Sequence, residues 1–142
     1  MSKVFNNPQG QGGYTDLQTL MPGSVGTFKA AGTIAKGRCV SLSTTGTVTQ
    51  SATDGTATLV VGISLESAVS GDSIKVATEG IAENVGAQGT INAGAIVIRS
   101  ATSAGYVAAS ATPSAGEPIG IAFNASASDT VDVWVSKGYG YA

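Results

Sequence analysis

Hydrophobic and polar residues alternate along most of this chain, and the alternation predicts short β-strands. From residue 27 onward, groups rich in Gly, Ser, Thr, Asn and Asp separate the alternating runs, as turns separate strands. Short strands with turns at regular intervals are typical of a small β-barrel or β-sandwich, so the expected fold class is all-β. The predicted strands cover residues 27–30, 38–43, 47–49, 58–65, 72–78, 81–85, 95–100, 106–108, 117–123 and 130–136.

A sequence repeat divides the β region into two similar halves. The segment Gly32–Val40 recurs as Gly89–Val97 with five of nine residues identical and an offset of 57 (89 − 32). The parallel continues downstream with an offset that drifts between 57 and 59, which small loop insertions explain. A solenoid needs about three or more repeats, so two copies predict halves that share one core. The expected organisation is an extended N-terminal arm over residues 1–25 and a single β domain over residues 26–142, with copies at about 32–80 and 89–138.

The alternation also predicts which side chains face the core. One set of residues spaced by two keeps the same phase in both copies, and we expect its members to point inward: Leu59, Val61, Ile63 and Leu65, with Ile119, Ile121 and Phe123. A second set agrees in the same way: Ile74 and Val76, with Val131, Val133 and Val135. Gly62 and Gly120 lie mid-strand at equivalent points, where a bulge, a bend or a close backbone approach would account for a glycine.

The strand after each opening motif gives a less consistent pattern. Val40 and Leu42 alternate in the first copy, whereas Ile96 and Ile98 take the opposite phase in the second. The pattern therefore leaves open which face is buried there, and it allows one side to be core and the other an interface.

Several apolar residues lie where a partner would have to cover them. In the arm, apolar residues recur at spacings of three and four between Tyr14 and Met21, which predicts one or two amphipathic helical turns too short to be stable alone. We expect the arm to become ordered on contact, and a disordered leader is the alternative. Trp134 is predicted to point away from the three valines of its strand, which favours a contact with a partner, and cover by the arm or a neighbouring loop of the same subunit is the alternative. The tail carries two tyrosines separated by Gly. The residues predicted to contact a partner or a sister subunit are Phe5, Tyr14, Leu17, Leu20, Met21, Trp134, Tyr139 and Tyr141.

Composition limits the classes of partner. Charged residues make up 11% of the chain, against roughly 25% in an average domain, and a surface with so few charges suggests coverage in an assembly. The net charge is −2 and the basic residues form no run, so we expect no nucleic-acid partner. The sequence contains no run of 18 apolar residues, so we expect no membrane span.

The residues that usually carry catalysis are scarce. The chain has no histidine, which excludes a Ser-His-Asp triad and a Cys-His pair, and its one cysteine, Cys39, cannot build a structural zinc site. Glu79 and Glu83 flank one predicted strand and are best interpreted as solvated strand-end charges. We therefore expect no enzyme activity, no catalytic residue, no metal and no cofactor.

One stretch of the chain resembles a known family. The segment Gly71-Asp-Ser-Ile-Lys-Val-Ala-Thr-Glu-Gly-Ile-Ala82, preceded by Val61-Gly-Ile-Ser-Leu-Glu66, is similar to the capsid cement, or head-decoration, proteins of tailed bacteriophages. The later segments Ala93–Val97 and Ile119–Ala122 continue that family's pattern, and the similarity extends over about residues 26–135.

The resemblance implies a function. Family members are small β proteins that bind the outside of an icosahedral head, often as trimers, and stabilise the expanded shell. For this chain it implies a structural virion protein made in the host cytoplasm, with the major capsid protein and further copies of itself, as a homotrimer, for partners. Another phage structural module, such as a tail or spike part, and a carbohydrate-binding β module are the alternatives.

Overall fold

Nine β-strands account for the regular structure. The computed structural model describes residues 24–53, 60–114 and 117–136, and within these residues the chain forms no helix. This confirms the all-β fold class. The strands are β1 (Ser24–Ala30), β2 (Cys39–Leu42), β3 (Thr47–Gln50), β4 (Val60–Ser64), β5 (Ser73–Gly86), β6 (Ile96–Arg99), β7 (Val107–Ala109), β8 (Gly120–Ala122) and β9 (Thr130–Ser136).

The first five strands close into a small barrel. They are hydrogen-bonded in the order β1-β3-β2-β4-β5, and β5 pairs back onto β1 in antiparallel register. The β1–β3 pair is parallel and the other neighbouring pairs are antiparallel. Closure leaves none of these five strands as an open edge, which is how small all-β folds avoid unpaired backbone groups.

Strand β5 belongs to both halves of the molecule. It has 14 residues and joins the two strands predicted over 72–78 and 81–85. Its first part pairs with β1 and β4, and its second part pairs with β9. The connection runs through Gly80, whose φ of 104° is accessible to glycine and strained for other residues.

The second half repeats the pairing of the first. The pair Val40↔Gly62 in the first half corresponds to Val97↔Gly120 in the second, at offsets of 57 and 58. The parallel pair Ala30↔Val48 corresponds to a parallel bridge between Ala87 and Val107, which links the end of β5 to β7. The second half therefore has the strand order of the first, with the end of β5 in the place of β1. This confirms that the fold consists of two similar halves.

Two apolar clusters fill the molecule. The smaller cluster lies inside the first barrel and includes Val40, Val48, Ile74 and Val76. The larger cluster holds the core of the second half, and it also contains Cys39, Val60, Ile63 and Ala77 from the first half. Cys39 and Val40 are neighbours on one strand, so their side chains point to opposite faces and both faces of β2 are buried.

The halves also contact each other through polar groups. The N–H of Cys39 donates to the carbonyl of Gly105 at 2.7 Å, and the N–H of Gly105 donates to the carbonyl of Ser51 at 2.9 Å. The guanidinium carbon of Arg38 lies 4.3 Å from the centre of the Tyr106 ring, and Nη2 of Arg38 donates to the hydroxyl of Tyr106 at 3.2 Å. One turn of the second half is thus held against the outer face of the first.

The prediction that Ile63, Ile121 and Phe123 point into the core was wrong. Gly62 and Gly120 occupy the inward positions opposite Val40 and Val97, so Ile63 and Ile121 point outward. Ile63 is nevertheless buried, because the second half covers it, whereas Ile121 is half-buried and Phe123 is 52% exposed.

The two glycines are explained by close approach of a neighbouring backbone. A Cβ atom at Gly62 would meet the carbonyl oxygen of Ala77, and a Cβ at Gly120 would meet that of Trp134. Both separations would be below 3.0 Å, a distance that real Cβ atoms essentially never show. This is one of the three causes that the sequence suggested.

Candidate functional site

Trp134 is the predicted contact residue that the structure describes. It lies in β9 and is 43% exposed, while its neighbours Val131, Val133 and Val135 are buried. Its outward direction is the one that the alternation of β9 predicts, and its role in contacts stays a prediction. The other predicted contact residues lie outside the described residues: Phe5, Tyr14, Leu17, Leu20, Met21, Tyr139 and Tyr141.

Isoleucines from three neighbouring strands lie beside Trp134. The register pairs Trp134 with Ile81 of β5 on one side and with Ile121 of β8 on the other, and Ile121 pairs in turn with Ile96 of β6. Residues that oppose each other in a sheet project from the same face, so these four side chains form one continuous row. We call this row, with Ile81, Trp134, Ile121 and Ile96, the outer apolar row.

Phe123 extends the row toward the end of β8. Its N–H donates to the carbonyl of Asp132 at 2.7 Å, which continues the β8–β9 ladder by one rung beyond Ala122. Phe123 therefore belongs to the same face as Ile121 and Trp134. Two exposed aromatic rings and three half-buried isoleucines make this an apolar surface on the outside of the second half.

A polar cluster borders the outer apolar row. Asp132 Oδ1 accepts the N–H of Asn84 at 3.0 Å, and Asp132 Oδ2 accepts from Asn124 Nδ2 at 2.8 Å. The Asp132 N–H donates to Asn124 Oδ1 at 3.0 Å. Asn84 is held at a φ of 57°, in the left-handed region, beside a register shift between β5 and β9. The side chains of this cluster are engaged with one another, so they shape the border of the surface.

The arrangement fits binding of a protein surface. Large apolar side chains in the middle and engaged polar groups at the border match the usual make-up of a protein interface, in which Trp is enriched at energetically important positions. The sequence pointed to Trp134 through its phase. It missed Ile81, Ile96 and Ile121 as neighbours, because cross-strand register depends on which strands pair and not on local periodicity.

The described residues form no metal site and no membrane-spanning helix. Over residues 24–53, 60–114 and 117–136, no group of three or more His, Cys, Asp or Glu residues could hold a metal ion. Glu79 and Glu83 are both exposed on β5. None of the described segments is a helix long and apolar enough to cross a membrane.

No protein-family model matches the chain, and no curated protein matches it significantly.

Proposed function

We propose that this chain is a non-enzymatic structural protein that binds the outside of a tailed-phage capsid and stabilises the expanded head. The observation that carries the proposal is the outer apolar row with Phe123, a hydrophobic surface that no other described residue covers, on a chain with few charges. The sequence resemblance to capsid cement proteins supplies the identity of the partner. The partners are then the major capsid protein and sister copies in a homotrimer, and the location is the capsid exterior.

The mechanism is binding repeated over many equivalent sites. A stable protein contact buries about 800 Å² on each partner, and a small β protein offers room for one or two such contacts. Repetition over a shell, together with linkage between copies, raises the strength of attachment well above that of one contact. A protein of this kind needs an apolar contact surface and a rigid frame, and it needs no reactive group.

A binding assay tests the proposal. Purified full-length protein is mixed with expanded tailed-phage heads stripped of their exterior proteins, and the bound fraction is measured by sedimentation. We expect saturable binding and heads that withstand a higher temperature before releasing DNA. Protein that stays in the supernatant at every concentration would refute the proposal.

The arm can be tested in the same assay. Deletion of residues 1–23, which leaves β1 intact, removes Phe5, Tyr14, Leu17, Leu20 and Met21, and we expect the occupancy of the heads to fall. Undiminished occupancy would remove the arm from the mechanism. Electron microscopy of intact particles that places the protein on the tail would favour the other phage structural module.

A carbohydrate-binding module is the second candidate. The exposed rings of Phe123 and Trp134 beside Asn124 and Asp132 offer aromatic and polar groups together, as sugar-binding surfaces do. The polar atoms of that cluster are engaged with each other, which favours the protein contact. Binding on a glycan array that disappears in Trp134→Ala would support this candidate over capsid binding.

A further inference from the structure

The two halves bury equivalent rows of side chains to very different extents. In the first half, the counterpart of Ile81 is Val25 of β1, which pairs with Ala77 and is 47% exposed. The counterparts of Ile96, Ile121 and Trp134 are Cys39, Ile63 and Ala77, which the register places side by side on β2, β4 and β5. These three residues are 0%, 1% and 4% exposed, whereas Trp134, the counterpart of Ala77, is 43% exposed. The same position of the same fold is therefore covered in one half and uncovered in the other.

The cover of the first-half row is the second half of the chain. Cys39, Ile63 and Ala77 belong to the apolar cluster that also contains the core of the second half. Next to them, Gly105 inserts its backbone between the N–H of Cys39 and the carbonyl of Ser51. The first-half row is thus an interface between two similar barrels, and the outer apolar row is the equivalent surface with no third barrel among the described residues to cover it.

The first half contains a turn equivalent to the one with Gly105, and in a second copy this turn could contact the outer apolar row. That turn is Thr45-Gly46, because Gly46 and Gly105 are equivalent at an offset of 59 and have similar φ values of 84° and 77°. Gly105 is buried, whereas Gly46 is exposed and has no heavy atom within 4 Å of a Cβ built on it. In the second half, the backbone groups that correspond to Cys39 and Ser51 are those of Ile96 and Ser110.

The differences in side-chain size are complementary. Trp134 is much larger than Ala77, so a docked barrel needs extra room there. The large Arg38–Tyr106 pair beside the in-chain interface is replaced by Ala95 and Thr47 at the equivalent positions. The outer apolar row is therefore larger than its first-half counterpart, and the residues around the contact are smaller.

We propose that the outer apolar row binds the first half of a second copy of this chain, in the way that the second half binds the first half within one chain. The contact is heterologous, because the surface on one copy differs from the surface on the other. Such contacts close into a ring or extend into a filament, depending on the rotation between copies. The inference rests on the proposed function in that it names the partner of the same surface.

Sedimentation of the purified full-length protein tests the contact. We expect the wild type to associate as concentration rises and Trp134→Lys to associate at least about 30-fold more weakly, as loss of a central Trp implies. The matched control is Val69→Lys, since Val69 is another exposed apolar residue and its counterpart, Ala127, is exposed and outside the in-chain interface. Phe123→Lys is the second variant in case Trp134→Lys does not fold.

Mixing two variants tests the head-to-tail arrangement. Trp134→Lys damages only the row, and Thr45→Arg damages only the turn, so each variant alone should be a monomer. Together they have one intact row and one intact turn, and we expect them to form a one-to-one dimer that does not grow. A wild type that is monomeric at all concentrations, or a mixture that stays monomeric, would overturn the proposal.

If something other than a second copy covers the outer apolar row, the experiments give a different result. Trp134 is the only tryptophan of the chain, so quenching of its fluorescence by acrylamide reports directly on coverage of the row. A monomer in which Trp134 is shielded until residues 1–23 are deleted would assign the row to the arm and refute the proposal. If copies associate as expected but stripped heads are not bound, the proposed function fails and the copy-to-copy contact stands.

Discussion

The equivalent glycines Gly62 and Gly120 provide the sharpest test of the fold. In Gly62→Ala, the new Cβ would lie within 3.0 Å of the carbonyl oxygen and carbon of Ala77, which are backbone atoms that no rotamer change can move. Strands β4 and β5 would have to separate locally by more than about 1 Å to restore ordinary contact. Since Gly62 does not have a left-handed φ, the cost comes from contact and not from backbone conformation.

The cost can be worked out from the bonds that the separation disturbs. The β4–β5 ladder pairs Ile63 with Ala77, and beside this pair the N–H of Leu65 donates to the carbonyl of Lys75 at 2.9 Å. A displacement of about 1 Å takes such bonds beyond their usual limit, at about 1 kcal/mol each. Overpacking of the barrel interior adds about 1–3 kcal/mol. We expect the free energy of unfolding to fall by about 3–5 kcal/mol, a large part of the stability of a typical domain.

Urea unfolding followed by circular dichroism measures the effect. The matched control is Gly32→Ala, because no heavy atom lies within 4 Å of a Cβ at Gly32 and its φ is not left-handed. That variant should change the free energy of unfolding by less than about 1 kcal/mol, with stabilisation the expected sign. Gly120→Ala should behave like Gly62→Ala. Equal stability of Gly62→Ala and Gly32→Ala would refute the close approach of β4 and β5.

Three further predictions concern the contacts between and beside the halves. Tyr106→Leu removes the ring under Arg38 and the hydroxyl to which Arg38 donates, so the free energy of unfolding in urea should fall by about 1–2 kcal/mol. In an Arg38→Ala background the same substitution should have little effect. Asp132→Ala leaves the N–H of Asn84 and the side-chain NH2 of Asn124 without their carboxylate acceptor and should lower the free energy of unfolding by about 1–2 kcal/mol. Asp132→Asn keeps one acceptor oxygen, so it should restore the bond from Asn84 and recover about half of the loss. Cys39 is fully buried, so its thiol should react with an aromatic disulfide reagent at least about 100-fold more slowly in the native protein than in urea, and equal rates would contradict the interface between the halves.

The repeat and the turn residues were enough to predict the all-β fold and its two halves. The motif at Gly32 and its copy at Gly89 each precede a strand with the same pairing, and the offset of 57 recurs in the observed register. The break predicted at Gly80 is absent, because strands on both sides hold β5 together where the local preference of Gly is for a turn. Pairing with neighbours outweighs that preference.

The inward positions of β5 and β9 were predicted correctly, since Ile74, Val76 and the three valines of β9 are buried. The inward phase of β4 and β8 could not be predicted for a reason that concerns the whole fold. Alternation reveals the buried face only when the other face is in water, and the second half covers the outer face of β2 and β4. Ile63 is therefore buried although it points outward, and the first copy led to a wrong inference for Ile121 and Phe123. The ambiguity between Val40 and Ile96 had the same origin, since Val40 lies in the core and Cys39, the counterpart of Ile96, lies in the interface.

Strand β5 has a consequence for how the molecule responds to cutting and to force. Because one continuous segment supplies the closing strand of one barrel and the opening strand of the next, a cleavage at Gly80 would leave each fragment with its own portion of that strand but without the covalent connection that aligns the two barrels. Fragments that are produced separately should refold only when they are mixed. Tension applied along β5 would load the ladders of both barrels in shear at once, so the two halves should rupture together in a single event.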